Sequence, residues 1–337
     1  VELTRARVLE FLREPEAVFW VFAFPILMAC ALGLAFRSRG DDAVPIGVQR
    51  AAGAERLARS LEATGRAAVE VLEPDRVEQA LMRAEVQLVV VPGEPPTYRY
   101  DPSRAESRGA RQLVDDILQR AAGRTDPFHP REEHSLAVGS RYIDWLLPGL
   151  LGMNIMGTGL WSVGFSIVHS RTRKLLKRFV ATPMSRGHYL LSHMLGRLVF
   201  LGLEVTAILF FGWAVFGVPV RGSLAAVVAL TVLGALSFGG IGLLVASRAR
   251  TVEAVSGLMN VVMLPMWLLS GIFFARSNFP DAMQPAIRAL PLTALNDALR
   301  GVMLEGRSLA ALGPEVGVLA AWGILTFVVA LKIFRWQ

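Results

Sequence analysis

The stretch WLLPGLLGMNIMGTGLWSVGFSIV, residues 145–168, contains no Asp, Glu, Lys or Arg. Wound as one helix, it is long enough to cross a hydrocarbon core of roughly 30 Å. Residues 17–36, 222–247 and 254–275 are equally free of charge. Residues 189–217 are apolar apart from Arg197, Glu204 and a histidine at 193, and the uncharged run 316–331 reaches membrane length when Gly313 and Phe334 extend it. Six spans result. Composition agrees: the chain has 19% charged and 53% hydrophobic residues and a mean hydropathy of +0.45, where soluble domains carry about 25% charge.

The charges that remain sit between the spans and set their direction. Residues 170–187 hold Arg171, Arg173, Lys174, Lys177, Arg178 and Arg186 and no acid. Arg248 and Arg250 follow the fourth span, and Lys332 and Arg335 lie at the end of the chain. By contrast, 218–222 has only Arg221, and in 276–315 Arg276, Arg288, Arg300 and Arg307 are offset by Asp281, Asp297, Glu305 and Glu315. Lys and Arg near the ends of short loops favour the cytoplasm. The rule places both termini and the 170–187 loop there, and the long insertion after the first span outside. The pI near 10.3 is thereby explained by membrane topology, without a nucleic-acid partner. The first span, longer than a usual signal h-region and preceded by a charged stretch, reads as a signal anchor. Within residues 1–16, Leu3, Val8, Phe11 and Leu12 alternate with charges, as in a helix lying at a membrane surface. The single cysteine, Cys30, excludes an internal disulfide and a cysteine metal cluster.

Residues 37–141 change character. Short apolar runs at 43–49, 67–72, 86–91 and 98–100 read as strands, and 52–63, 75–83 and 103–122 as helices. Strands alternating with helical patterns imply a small α/β domain with a partly parallel sheet. The expected fold is an all-α polytopic membrane domain of six transmembrane helices, with a small extracytoplasmic α/β domain inserted between helices one and two. No catalytic constellation stands out. Asp115 and Asp116 are adjacent on a helix and point apart, and His129 and His134 lie five apart in a linker.

In residues 171–187, RTRKLLKRFVATPMSRG, an apolar stripe of Leu175, Leu176, Phe179 and Val180 faces a basic side, and Thr182-Pro183 stops the helix. Such a segment either anchors to anionic headgroups or presents a lever to a cytoplasmic partner; composition leaves both open. Four landmarks then carry a resemblance: Arg13-Glu14-Pro15 before the first span, RFVATPMSRGHYLLSHML at 178–195, NVVMLPMWLLSGIFF at 260–274, and FPDAMQPAIRALPLTALNDALRG at 279–301. Together, over essentially the whole chain, the sequence resembles the membrane subunits of ABC-2 type transporters. The resemblance implies a permease that dimerises and works with two cytoplasmic ATPase subunits, which bind the ATP and Mg2+. It implies a coupling surface at Arg171, Lys174, Lys177 and Arg178, with Thr182 and Pro183 fixing the turn and Arg13 and Glu14 joining from the N-terminal helix. It implies a gate in 264–274, with Leu264, Pro265, Met266, Gly271, Phe273 and Phe274 as its candidates, and exit helices in 279–304 to which Asn296 and Asp297 offer polar groups.

This chain has no GxxxxGK[ST] phosphate loop, so ATP hydrolysis belongs to partners and the chain itself is no enzyme and holds no cofactor. Glu204 is the sharpest isolated charge, since a carboxylate inside a span faces protein or a wet cavity. Arg197, two turns earlier, shares its side of the helix; a partner on another helix serves equally. The expected function is export, with hydrophobic small molecules or lipids as first candidates for the substrate and an envelope protein as a possible partner of the outer domain. A secondary transporter and a membrane-tethered sensor or assembly scaffold are the competing classes.

Overall fold

The computed structural model describes residues 15–35, 43–125, 127–128, 141–172, 186–249, 251–273 and 276–333, with the backbone alone at 16–17, 170, 172 and 186–199. The chain divides into two units, Ser38–Ser135 and the remainder.

The smaller unit is built on strands β1 (Val44–Gln49), β2 (Ala67–Leu72), β3 (Leu88–Val91) and β4 (Thr97–Arg99) in the order β2-β1-β3-β4. β1 runs parallel to β2 and β3, with Ile46 opposite Val69 and Leu88, and β4 is antiparallel to β3. Side chains alternate across the sheet. Ile46, Val48, Leu88 and Val90 pack with Ala54, Ala58 and Leu61 of helix αA (Ala54–Glu62) and with Ala110, Val114 and Ile117 of helix αC (Ala105–Ala121). Leu72, Val86 and Val89 pack on the opposite face with Val77 and Ala80 of helix αB (Val77–Met82). Gly47 permits this second layer to close, because a Cβ there would stand 2.8 Å from Leu72 and 2.9 Å from Val89. The Tyr98 hydroxyl donates to Asp115 at 3.3 Å and joins β4 to αC. Strand and helix positions follow the sequence pattern to within two residues.

The larger unit is helical. A short helix Pro15–Val18 passes through a π-helical turn, Phe19–Ala23, into α1 (Phe24–Ala35). Then come α2 (Tyr142–Thr172), α3 (Arg186–Phe216), α4 (Leu224–Arg248), α5 (Val252–Leu269), α6 (Gln284–Arg288), α7 (Pro291–Met303) and α8 (Gly313–Ile333). Among the described residues, four helical stretches are long and apolar enough to span a membrane: Tyr142–His169, Leu224–Arg248, Val252–Leu269 and Leu309–Ile333. Phe19–Ala35 and Phe200–Phe216 are shorter apolar helices among the described residues.

α2 lies at the centre, packed by α1, α4, α5 and α7, and α4 in turn packs on α8. Small residues set these distances, as is usual where lipid removes the hydrophobic drive between helices. A Cβ at Gly242 of α4 would stand 2.7 Å from the Leu160 carbonyl of α2, and one at Gly240 would stand 2.6 Å from Thr326 of α8. The link between α3 and α4 is tied to the end of α7: Arg221 and Gly222 donate their backbone N–H groups to the carbonyls of Met303 (2.9 Å) and Val302 (3.0 Å).

Candidate functional site

α5 begins at Thr251, whose side chain accepts from the Ala254 N–H at 3.2 Å and supplies an N-cap. It runs through Pro265 without a break. The sequence alone marks Pro265 as a point of kinking or breaking, since proline removes a backbone donor; here the helix continues for another turn. α5 has two unlike faces. Val255, Met259, Met263 and Met266 are buried, whereas Leu258, Val261, Leu264 and Leu268 are 46%, 70%, 56% and 52% exposed. Among the gate candidates, then, Leu264 and Pro265 face outward from this chain and Met266 faces its core. Phe273 is half-buried against that core, and Phe274 lies outside the described residues.

The helix ends at Gly271, which adopts φ 74°, the left-handed conformation that closes many helices and that glycine takes without steric penalty. Its carbonyl accepts two bonds, from the Trp145 indole N–H at 3.1 Å and from Arg300 Nη2 at 2.7 Å. Arg300 Nε reaches the Trp145 carbonyl at 3.3 Å, and its guanidinium lies 3.5 Å from the centre of the Trp145 ring. Gly149, one turn after Trp145, leaves the room: a Cβ there would stand 3.2 Å from Arg300 Nη2. Arg300 was visible in the sequence only as one of four arginines in a charge-balanced loop. Its spacing from Asn296 and Thr293, which puts all three on one side of a helix, was the available signal.

That side of α7 is turned inward. Thr293 and Asn296 are fully buried, and Arg300 is 3% exposed. Asn296 packs on Gly152, and neither atom of its amide has a hydrogen-bond partner among the described residues. Asp297, on the adjoining side, pairs with Arg276 at 2.5 Å. Burial pushes the Asp297 carboxyl above its ordinary range, against the pull of Arg276 and Arg300. The two exit candidates therefore differ: Asp297 is ion-paired, and Asn296 is sealed between helices.

Deeper in the bundle, Glu204 is 1% exposed. The Thr158 hydroxyl of α2 lies 3.2 Å from Glu204 Oε2 and 2.7 Å from the Asn154 carbonyl, so one hydroxyl proton faces two acceptors. Asn154 Nδ2 donates to the Val21 carbonyl of the π-helical turn at 3.0 Å. Glu204 is thus joined to α2, a helix other than its own. The side chain of Arg197 lies outside the described residues. Asn154 and Thr158 were not singled out in the sequence, where each is an uncharged residue in an apolar run.

Of the coupling candidates, Arg171 is described. Its Nη1 donates to the carbonyls of Ala249 (2.7 Å) and Ala246 (3.2 Å), at the C-terminal end of α4 where carbonyls lack helical partners. Arg13, Glu14, Lys174, Lys177, Arg178, Thr182 and Pro183 lie outside the described residues, as do His129 and His134. No cluster of His, Cys, Asp and Glu suited to a metal occurs among the described residues.

Comparison with known proteins bears on the whole chain. Over 206 residues the chain is 26% identical to the inner membrane transport permease YadH of Escherichia coli K12, covering 59% of this chain and 75% of that one. It is 27% identical over 199 residues to nodulation protein J of Bradyrhizobium diazoefficiens, covering 58% and 75%. It is 25% identical over 194 residues to ABC transporter G family member 20 of Dictyostelium discoideum, covering 58% of this chain and only 27% of that longer protein. The model of the family described as "ABC-2 family transporter protein" matches residues 16–332. By that match, which takes in both units, the chain belongs to the ABC-2 family of membrane transport permeases.

Proposed function

We propose that the chain is the membrane-spanning subunit of an ATP-driven exporter. The observation that carries this reading is the family match through residues 16–332. In this reading the six apolar segments all cross the membrane, both termini and the 170–187 loop are cytoplasmic, and residues 37–141 stand outside. Two ABC ATPase subunits bind ATP and Mg2+ and dock on the loop through Lys174, Lys177 and Arg178, with Thr182 and Pro183 shaping the turn and Arg13 and Glu14 on the neighbouring surface. Arg171 contributes by tying the loop to the end of α4, which its bonds to Ala246 and Ala249 support.

A second, identical permease completes the pathway. The exposed apolar stripe Leu258, Val261, Leu264 and Leu268 suits α5 to a wall shared between protomers, with Gly271, Phe273 and Phe274 at its outer end and Met266 backing it from the core side. An apolar wall favours hydrophobic small molecules or lipids as substrates. The cycle is a population shift between two permease conformations, driven by the different affinities of ATP-bound and ATP-free ATPases for each. It involves no covalent chemistry on this chain. The outer α/β unit is free to engage an envelope partner.

Purification of the intact complex from native membranes, with mass identification of every subunit, tests the reading. The expected result is an ABC ATPase that is lost when Lys174 and Lys177 are changed to Glu while the permease still inserts. A complex that recruits no ATPase in any nucleotide state would remove the ATP-driven account in favour of a secondary transporter or a scaffold.

A further inference from the structure

We propose that Arg300 is a positioning residue that holds the end of the pathway helix α5 in register with α2. The proposal rests on the reading of α5 as a pathway wall. Three observations converge on it. First, the Gly271 carbonyl is the point at which α5 stops, and it receives both Arg300 Nη2 and the Trp145 indole N–H. Second, Arg300 also bonds the Trp145 carbonyl and lies against the Trp145 ring, so one side chain fixes two backbone positions on two helices. Third, α7 is an anchored base for that side chain: its last carbonyls bind Arg221 and Gly222, and Asp297, three residues before Arg300, holds Arg276 just beyond α5.

Guanidinium chemistry explains why arginine is used. Its planar fork offers donors in fixed directions and stacks on an aromatic face, which an ammonium on a flexible stem does not reproduce. Gly149 completes the fit by leaving the space that Arg300 Nη2 enters. A buried cation of this kind has no alternative partner in water, so the end of α5 moves only when Gly271 leaves the pair Trp145–Arg300. Arg300 thereby sets how readily the outer end of α5 opens.

Cysteine accessibility tests this directly. In a Cys30→Ser background, Ser270→Cys reports on the end of α5, because Ser270 is fully buried beside Gly271, and Val302→Cys reports on the base of α7, where Val302 is equally buried. Both are labelled with a charged maleimide in membranes opened to both faces. Arg300→Gln is expected to raise the labelling rate at position 270 by at least about tenfold, as for loss of a charged buried hydrogen bond, and to leave position 302 protected. Arg300→Lys is expected to restore protection only in part. Trp145→Phe, which keeps a ring and loses the indole donor, is expected to produce a smaller rise at the same place. Unchanged labelling at 270, full rescue by Lys, or equal labelling at 270 and 302 would each overturn the positioning role. Labelling requires neither ATP nor an ATPase, so the expected pattern in a chain that recruits no ATPase would retain the positioning role and remove only the export reading.

Discussion

The two units both bury apolar side chains, but they differ in where they keep charge and in what they leave exposed. In the α/β unit the interior is Ile46, Val48, Leu61, Leu88, Val90 and Val114, and the ion pairs, such as Arg50–Glu73 and Arg76–Glu85, lie at its surface. In the helical unit Asp144, Asn154, Glu204, Asn296 and Arg300 are buried, while Trp213, Leu224, Val261, Ile324 and Leu325 are more than half exposed. Water explains the first arrangement: removing apolar surface from it contributes about 25 cal/mol per Å². Lipid explains the second. A leucine gains little by leaving hydrocarbon for a helix interface, so polar contacts and close backbone approach take over the work of association. The same chain thus follows two solvents, and a side chain's exposure has a different meaning in each unit.

Four substitutions break or sharpen that contrast. The largest effect is expected from Leu61→Ala, which empties a fully buried site in the water-facing core; the loss is about 2–5 kcal/mol, seen as lowered resistance to proteolysis confined to residues 38–135. Gly242→Val comes next. It drives a Cβ against the Leu160 carbonyl and costs about 1–3 kcal/mol, measured as a lower midpoint of detergent-induced unfolding. Thr158→Val keeps the shape and removes the hydroxyl beside Glu204. A loss of about 0.6 kcal/mol and no more than about 1.7 is expected in the same assay, and a null result would show that Glu204 relies on its other contacts. The smallest effect belongs to Val261→Ala, at the most exposed position of the α5 stripe. Stability should change by no more than about 0.5 kcal/mol, whereas the proposed dimeric pathway requires an altered transport rate or substrate preference. Unchanged transport would take Val261 out of the wall.

Local pattern made much of the architecture readable. Uncharged runs of membrane length marked α2, α4 and α5, and a shorter uncharged run marked α8, because a helix crossing lipid must satisfy its own backbone and tolerates few charges. Short apolar runs marked the four strands, and Pro280, Pro285 and Pro291 marked the broken segment that folds as α6 and α7. The chemistry inside the bundle was less readable. Arg300, Trp145 and Gly271 are separated by up to 155 residues, and no spacing rule connects them. Arg171 counted equally well as a surface charge until its bonds to Ala246 and Ala249 placed it at the end of α4.

Sequence by itself determined that the chain is a multi-span membrane permease of the ABC-2 family with an α/β insertion, because hydropathy, periodicity and family motifs are all properties of neighbouring residues. Only the tertiary structure decided which face of α5 is buried, that Glu204 meets Thr158 of another helix, that Asn296 is sealed and Asp297 paired, and that Arg300 bonds the Gly271 carbonyl just past the end of α5. Each of these depends on which helix lies beside which, and that is set by the shapes of glycines and side chains meeting across the bundle, far apart along the chain.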